Sequence, residues 1–181
     1  EDGIRDVERS RGLGDVYKRQ PDFDTMVQGG GRKKFSGSEI IVDERDQRLF
    51  VEDGSRILIF DIDPRRLTNY PDATLVIGQP DFNSREQGLG PNRLTRAHGI
   101  AYDAEEQRLF VSDQGNNRIL VFDVHPNRLR NDPRAIAVLG QPDFFTNAAR
   151  FIGARARPEA RYGLRSITPG GLDYDSLHKR L

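Results

Sequence analysis

Residues Ile100–Phe122 read IAYDAEEQRLFVSDQGNNRILVF, and nearly the same text stands earlier as Ile40–Phe60, IIVDERDQRLFVEDGSRILIF. Each copy leads to a Gln-Pro-Asp-Phe tetrapeptide, at Gln79–Phe82 and at Gln141–Phe144. Pro21-Asp22-Phe23 is a further partial copy, and Gly171–Leu181, GLDYDSLHKRL, matches Gly99–Leu109. Self-similarity at a fixed spacing marks a repeat architecture, in which no unit buries its apolar face alone and each stacks on its neighbours. The spacing of about 60 residues exceeds the roughly 40–50 usual for four-stranded propeller blades. Each unit therefore divides into a strand-rich part and a long loop.

In the second copy four strands are expected: a at Gly99–Tyr102, b at Arg108–Asp113, c at Arg118–Val124 and d at Ala135–Gly140. All are short, rich in β-branched or aromatic residues, and bounded by Gly, Pro, Asn or Asp. Leu109-Phe110-Val111 and Ile119-Leu120-Val121-Phe122 are apolar without alternation, which fits a sheet buried on both faces. Strand a carries the small residues Gly99 and Ala101, as a crowded centre requires. Between strands b and c, Asp113-Gln114-Gly115-Asn116-Asn117-Arg118 has the composition of a tight turn, since Gly and Asn tolerate positive φ. The Asp113 carboxylate is expected to accept turn amides, and Arg118 to pair with an Asp on its own or the next unit.

Gly99-Ile100-Ala101, then Leu109-Phe110-Val111-Ser112-Asp113, then Asn116-x-Arg118-Ile119-x-x-Phe122 resembles the NHL repeat. The added Gly140-Gln141-Pro142-Asp143-Phe144 is similar to a bacterial NHL subgroup that carries GQPDF after each blade. The resemblance implies an all-β fold, a β-propeller fragment of two four-stranded antiparallel blades plus the start of a third. Such propellers serve mostly as binding platforms and occasionally as enzymes. A bacterial, metagenomic origin and an extracytoplasmic location, periplasmic or secreted, are further implications of that resemblance. The first unit departs from the pattern: its turn, Asp53-Gly54-Ser55-Arg56, is two residues shorter and lacks the Asn, and Glu39 stands where Gly99 does. The expected division is an NHL blade at 37–79, a loop at 80–96, a second NHL blade at 97–141 and an Arg-rich loop at 142–168. Residues 21–36 are then the end of a preceding blade and its loop, and 169–181 begin the next.

The first twenty residues, EDGIRDVERSRGLGDVYKRQ, resemble a translated sequencing adapter. DVYKRQ is what GAT GTG TAT AAG AGA CAG encodes, and EDGIRD is what GAA GAC GGC ATA CGA GAT encodes. SRGLG fits the stretch between, with Val7–Arg9 in place of a variable index. Scars of this kind stand outside fold reasoning. Glu1–Gln20 are thus expected to add nothing to the core. Authentic protein begins near Pro21, both ends read as truncated, and any signal peptide or additional domain lies beyond the sequence.

Charge and composition exclude more than they select. Equal numbers of basic and acidic residues, 28 each, give no global attraction to nucleic acid or an acidic membrane. The chain has no Cys, which excludes a disulfide scaffold and thiolate metal sites. No apolar run approaches the roughly 20 residues of a membrane helix. Gly29-Gly30-Gly31-Arg32-Lys33-Lys34 lacks phosphate-loop spacing and has no aromatic residues interleaved to stack bases.

Candidate ligand positions follow from where propeller loops emerge. The connections Gln79–Ala97 and Gln141–Thr168 are long, and structureless loops of this length are often functional or mobile. The second holds Arg150, Arg155, Arg157, Arg161 and Arg165 against Glu159, a cluster able to hold an anionic partner. Pairing of such arginines with neighbouring Asp is the competing reading. His98 lies where a side chain reaches the channel mouth, but a His-based zinc site needs three or four converging ligands, so no metal or cofactor is expected. Asp53, Arg56, Asp113, Asn116 and Arg118 are read as turn structure. In Pro-Asp-Phe, Pro ends an edge strand, Asp caps a turn and Phe packs. The function favoured is a non-enzymatic propeller scaffold for a protein, glycan or other anionic ligand. The alternative is a propeller enzyme, such as a metal-dependent lyase or lactone hydrolase. The fragment is expected to expose an apolar sheet face on each side, from residues such as Phe50 and Ile59 or their counterparts in the second blade.

Overall fold

The computed structural model describes residues 31, 32, 37, 39–148, 172, 174, 175, 178, 179 and 181. The adapter-like segment and the Arg150–Arg161 cluster lie outside these. The chain is all-β. β1 (Ile40–Asp43), β2 (Arg48–Glu52), β3 (Ile57–Asp61) and β4 (Leu75–Ile77) form one antiparallel sheet in that order. β5 (Ala97–Asp103), β6 (Arg108–Asp113), β7 (Arg118–Asp123) and β8 (Ala137–Leu139) form a second in the same order. These are two propeller-type blades. The only helical element among the described residues is a single 3-10 turn, Gln114–Asn116, inside the β6–β7 hairpin. No described helix is long and apolar enough to cross a membrane.

β6 has the limits expected for strand b, and β7 stops at Asp123. β5 extends past strand a at both ends, with a register shift between Ala97 and Gly99, while β8 is shorter than strand d.

The lack of alternation in the strands has a direct structural cause. Phe50, Ile57, Ile59 and Ile77 point toward the second blade and pack in one cluster with Leu109, Val111, Leu120 and Phe122. The intervening Val51, Leu58, Phe60 and Val76 form a separate cluster on the opposite face. In the second blade Phe110, Ile119 and Val121 likewise face away from the first blade. The expectation that Phe50 and Ile59 would be exposed is therefore overturned: both are fully buried between the blades. The exposed apolar residues that lie on strands stand on the outward faces instead, Ile40 and Val42 on β1 and Leu139 on β8.

The two blades are joined by contacts that recur one repeat later. Tyr102 rests 5.4 Å from Phe50, ring to ring, and Tyr174 rests 5.4 Å from Phe110. Asp43, Asp103 and Asp175 each cap the turn after strand a by accepting amides two or three residues on. Gln47, Gln107 and Lys179 take the same left-handed φ of 51°, 52° and 54° in those turns. A third copy of the turn is thus present. Of the strand expected near Gly171–Tyr174, Gly171 and Asp173 lie outside the described residues; Asp175, next in sequence, forms a bridge.

Glycine is required where strand d ends. Gly78 and Gly140 have φ of 86° and 87°, a region that L-residues rarely enter. A Cβ on Gly78 would also lie 2.6 Å from Leu94 Cδ1. The first residue of GQPDF is therefore set by backbone geometry and packing.

Candidate functional site

The b–c hairpin is built around a buried ion pair. Asp113 and Arg118 have side chains 0% exposed, with Arg118 Nε donating to Asp113 Oδ2 at 2.8 Å. Asn116 Nδ2 donates to the same oxygen at 2.8 Å, and the Thr95 amide donates to Oδ1. The first blade repeats the pair as Asp53 and Arg56, again 2.8 Å apart and fully buried. The Asn that this shorter turn lacks is replaced from elsewhere: Arg85, in the following loop, donates Nη2 to Asp53 Oδ2 at 2.8 Å.

The rest of each guanidinium holds the long loop. Arg56 Nη1 donates to the Phe82 carbonyl and Arg118 Nη1 to the Phe144 carbonyl. Arg118 Nη2 donates to the carbonyls of Gly90 and Arg93, at 2.9 and 3.0 Å. Gln79 Nε2 donates to Ser55 O and Glu86 O, and Gln141 Nε2 to Asn117 O and Ala148 O. The loop then clasps the next blade. Gly90 N donates to Phe144 O, and Ala135 N donates to Pro91 O. The preceding connection does the same one repeat earlier, with Gly31 N donating to Phe82 O and Ala73 N to Arg32 O. The connection Gln79–Ala97 is therefore not a free loop. It is a strap whose backbone groups are satisfied by buried side chains of both blades, as buried polar backbone requires.

The tetrapeptide acts as part of that strap. Asp81 Oδ1 accepts the Asn83 and Ser84 amides, and Asp143 Oδ1 accepts the Phe145 amide. Phe82 is buried, with the Arg32 guanidinium 4.5 Å above its ring. Gln79 and Gln141, each of which ties one carbonyl of its connection to one carbonyl of the hairpin, had no role in the sequence reading. Their signal was recurrence: each lies 24 residues beyond the carbonyl it grips in the hairpin.

Of the expected ligand positions, His98 is half-buried on β5 beside the register shift. No group of three or more His, Cys, Asp or Glu residues suited to a metal occurs among the described residues. His125 and His178 lie in the turns after strand c and strand a, at the opposite end of the blades from the straps. Arg150, Arg155, Arg157 and Arg161 lie outside the described residues. In the strap that is described, Arg85 pairs with Asp53 and Arg93 with Asp132, both at 2.8 Å. Two of its arginines are thus taken by structure.

A second feature is a groove of about 300 Å³ along the inner strands β1 and β5. Ile41, Val42, Ile100 and Leu172 give it apolar walls, and Glu39, Tyr102 and Tyr174 its polar groups. Glu39 takes the place that Gly99 holds in the second blade, and its Oε2 accepts the Ile100 amide at 2.8 Å. At Gly99 itself a Cβ would lie 3.3 Å from the Leu172 nitrogen, so neighbouring inner strands approach too closely there for an easy side chain. Tyr102 Oη is shielded without a hydrogen-bond partner. Burial, then the nearby Asp43 carboxylate, pushes its phenol up to about 12. The hydrogen bond from Tyr174 to Asp103 raises the Tyr174 phenol as well. Both tyrosines are neutral at ordinary pH, and Glu39 supplies the negative charge of the groove.

The turn carboxylates set the acid stability. Arg66 holds Asp61 low, Arg65 holds Asp63 low and Arg128 holds Asp123 low, each chiefly by a side-chain hydrogen bond. Burial pushes Asp103 up, but the Tyr174 hydroxyl and the Glu105 and Glu106 amides outweigh it and leave the group below its ordinary value. A carboxyl depressed in the folded state stabilises above its unfolded pKa and loses that contribution as pH falls through the folded value. Asp113 acts oppositely, because burial raises it; its contribution declines as pH rises through the window just above its unfolded pKa. These depressed groups outnumber it, the more so with Asp81 and Asp143, which backbone amides also hold low. The urea midpoint should therefore drop most steeply between about pH 4 and about pH 2. A midpoint that stays level across that interval would contradict this assignment.

Compared with known protein families, residues 94–122 match the NHL repeat, a stretch that runs from the end of the strap through β7. No curated protein matches the chain. The hairpin ion pair, the two four-stranded sheets and this match together place an NHL repeat in the second blade.

Proposed function

We propose that the chain is a non-enzymatic propeller scaffold whose strap-bearing face holds an anionic partner. One observation carries the reading. The long connection between the blades is immobilised on both sides by fully buried Arg56 and Arg118, which makes it a rigid platform rather than a moving lid. Rigid loops lower the entropy lost on binding. That platform turns Leu89 toward solvent at 37% exposure, and Phe145, at the start of the next connection, is 68% exposed. The next strap carries five arginines, Arg150, Arg155, Arg157, Arg161 and Arg165, against Glu159. If it uses two of them structurally, as the first strap uses Arg85 and Arg93, three remain for a carboxylate-, phosphate- or sulfate-bearing partner.

Replacing Arg155, Arg157 and Arg161 together with Ala should weaken retention on a sulfated heparin matrix while the thermal midpoint stays level. The difference should shrink with added salt, because exposed charges are screened within about 8 Å at physiological ionic strength. Unchanged retention would remove the arginines from the reading. Stoichiometric metal in the purified protein, lost on His98→Ala, would favour the metal-enzyme alternative instead.

A further inference from the structure

We propose that the inner-strand groove binds an alkylated ammonium group, with Glu39 as its counter-ion. This site is separate from the strap-bearing face and does not depend on the reading given for it. Three observations carry it. Glu39 occupies a repeat position that is Gly in the second blade, so its carboxylate enters space that the fold otherwise keeps for close approach of inner strands. Among the described residues no cation pairs with it; the Ile100 amide is its hydrogen-bond partner. The basic groups at the far end of these strands are taken by the turns: Arg48 is held by Asp43, and Lys179 by Glu105 and Asp103.

The chemistry of the walls selects among cations. A primary ammonium brings three N–H donors that must all be satisfied. Apart from Glu39, the groove is lined by Ile41, Val42, Ile100, Ala101 and Leu172, with the Tyr174 hydroxyl given to Asp103 and Tyr102 Oη shielded. Lysine-like or hydrated metal cations would leave donors or waters facing these aliphatic walls. A trimethylammonium group has no N–H to satisfy. Its methyls suit apolar walls, and its spread charge is attracted both by the carboxylate and by aromatic rings. A volume of about 300 Å³ accommodates such a head group with a short substituent.

Choline and its uncharged isostere 3,3-dimethylbutan-1-ol provide the probe pair. Titrated calorimetrically into the full chain, choline should bind saturably, and the isostere about tenfold or more weaker. Glu39→Gln retains a carbonyl oxygen for the Ile100 amide but removes the charge. It should leave the unfolding midpoint unchanged and weaken choline about tenfold. Should that variant not fold, Glu39→Gly, which restores the residue of the second blade, carries the test and should weaken choline to a similar degree. Three results would overturn the proposal: no saturable choline binding, equal binding of the isostere, or unchanged choline affinity in the folded variants. None bears on heparin retention by the strap arginines.

Discussion

Arg118→Met will lower the unfolding free energy by about 3–5 kcal/mol, the cost of breaking a buried ion pair by removing one partner. Methionine fills much of the same volume, so the loss is electrostatic rather than steric. Asp113 would keep its bonds from Asn116 and Thr95 but would be buried without its cation. The carbonyls of Gly90, Arg93 and Phe144 would each lose a donor. Adding Asp113→Asn should recover part of the loss, because no charge then remains uncompensated. Arg118→Lys should recover little, since a single ammonium cannot fork to four separated acceptors. Urea unfolding of the three variants tests this. A methionine variant within about 0.5 kcal/mol of the parent would mean that the ion pair does not hold the strap.

The second large effect is a contrast between equivalent positions. Ile40 and Ile100 occupy the same place in strand a of successive repeats, yet Ile40 is 61% exposed and Ile100 is 1% exposed. Ile100→Ala should cost about 2–5 kcal/mol, as core truncations do. Ile40→Ala should stay within about 0.5 kcal/mol. The repeat alone gives no reason for a difference; the docking of one blade on the other does. Equal losses in urea titrations would show that the two sheets do not pack in the order described.

The blades were legible in the sequence because both faces of each sheet are buried. Leu109-Phe110-Val111 has no polar residue to interrupt it, since Leu109 and Val111 serve one cluster and Phe110 another. Asp113 and Arg118 were also legible, as a turn acid followed by a base at the start of a strand. The straps were not. Their bonds end on main-chain carbonyls of Phe82, Gly90 and Phe144, and an acceptor of that kind leaves no mark on residue identity. The fixed interval was the available sign: Arg56 lies 26 residues before Phe82, and Arg118 lies 26 before Phe144. Without those bonds in view, a stretch rich in Gly, Asn and Pro has the composition of a free loop. Glu39 read as an irregularity of the repeat, and its place on the groove wall depends on how close the next inner strand comes.

The pairing of Tyr102 with Phe50 gives the joint between the blades an optical label of its own. The chain has no Trp, so its near-ultraviolet spectrum comes from tyrosine and phenylalanine. Tyr102 is the described tyrosine whose ring lies in the seam between the two complete blades, and Tyr70 stands in the turn after strand c. A buried, asymmetric ring gives a circular dichroism signal that a solvated one does not. Separation of the blades with each sheet intact would thus lower near-ultraviolet ellipticity by the Tyr102 contribution, leaving that of Tyr174 on Phe110 and the far-ultraviolet β signal. Loss of a sheet would change both, so undocking and melting can be told apart without introducing a probe.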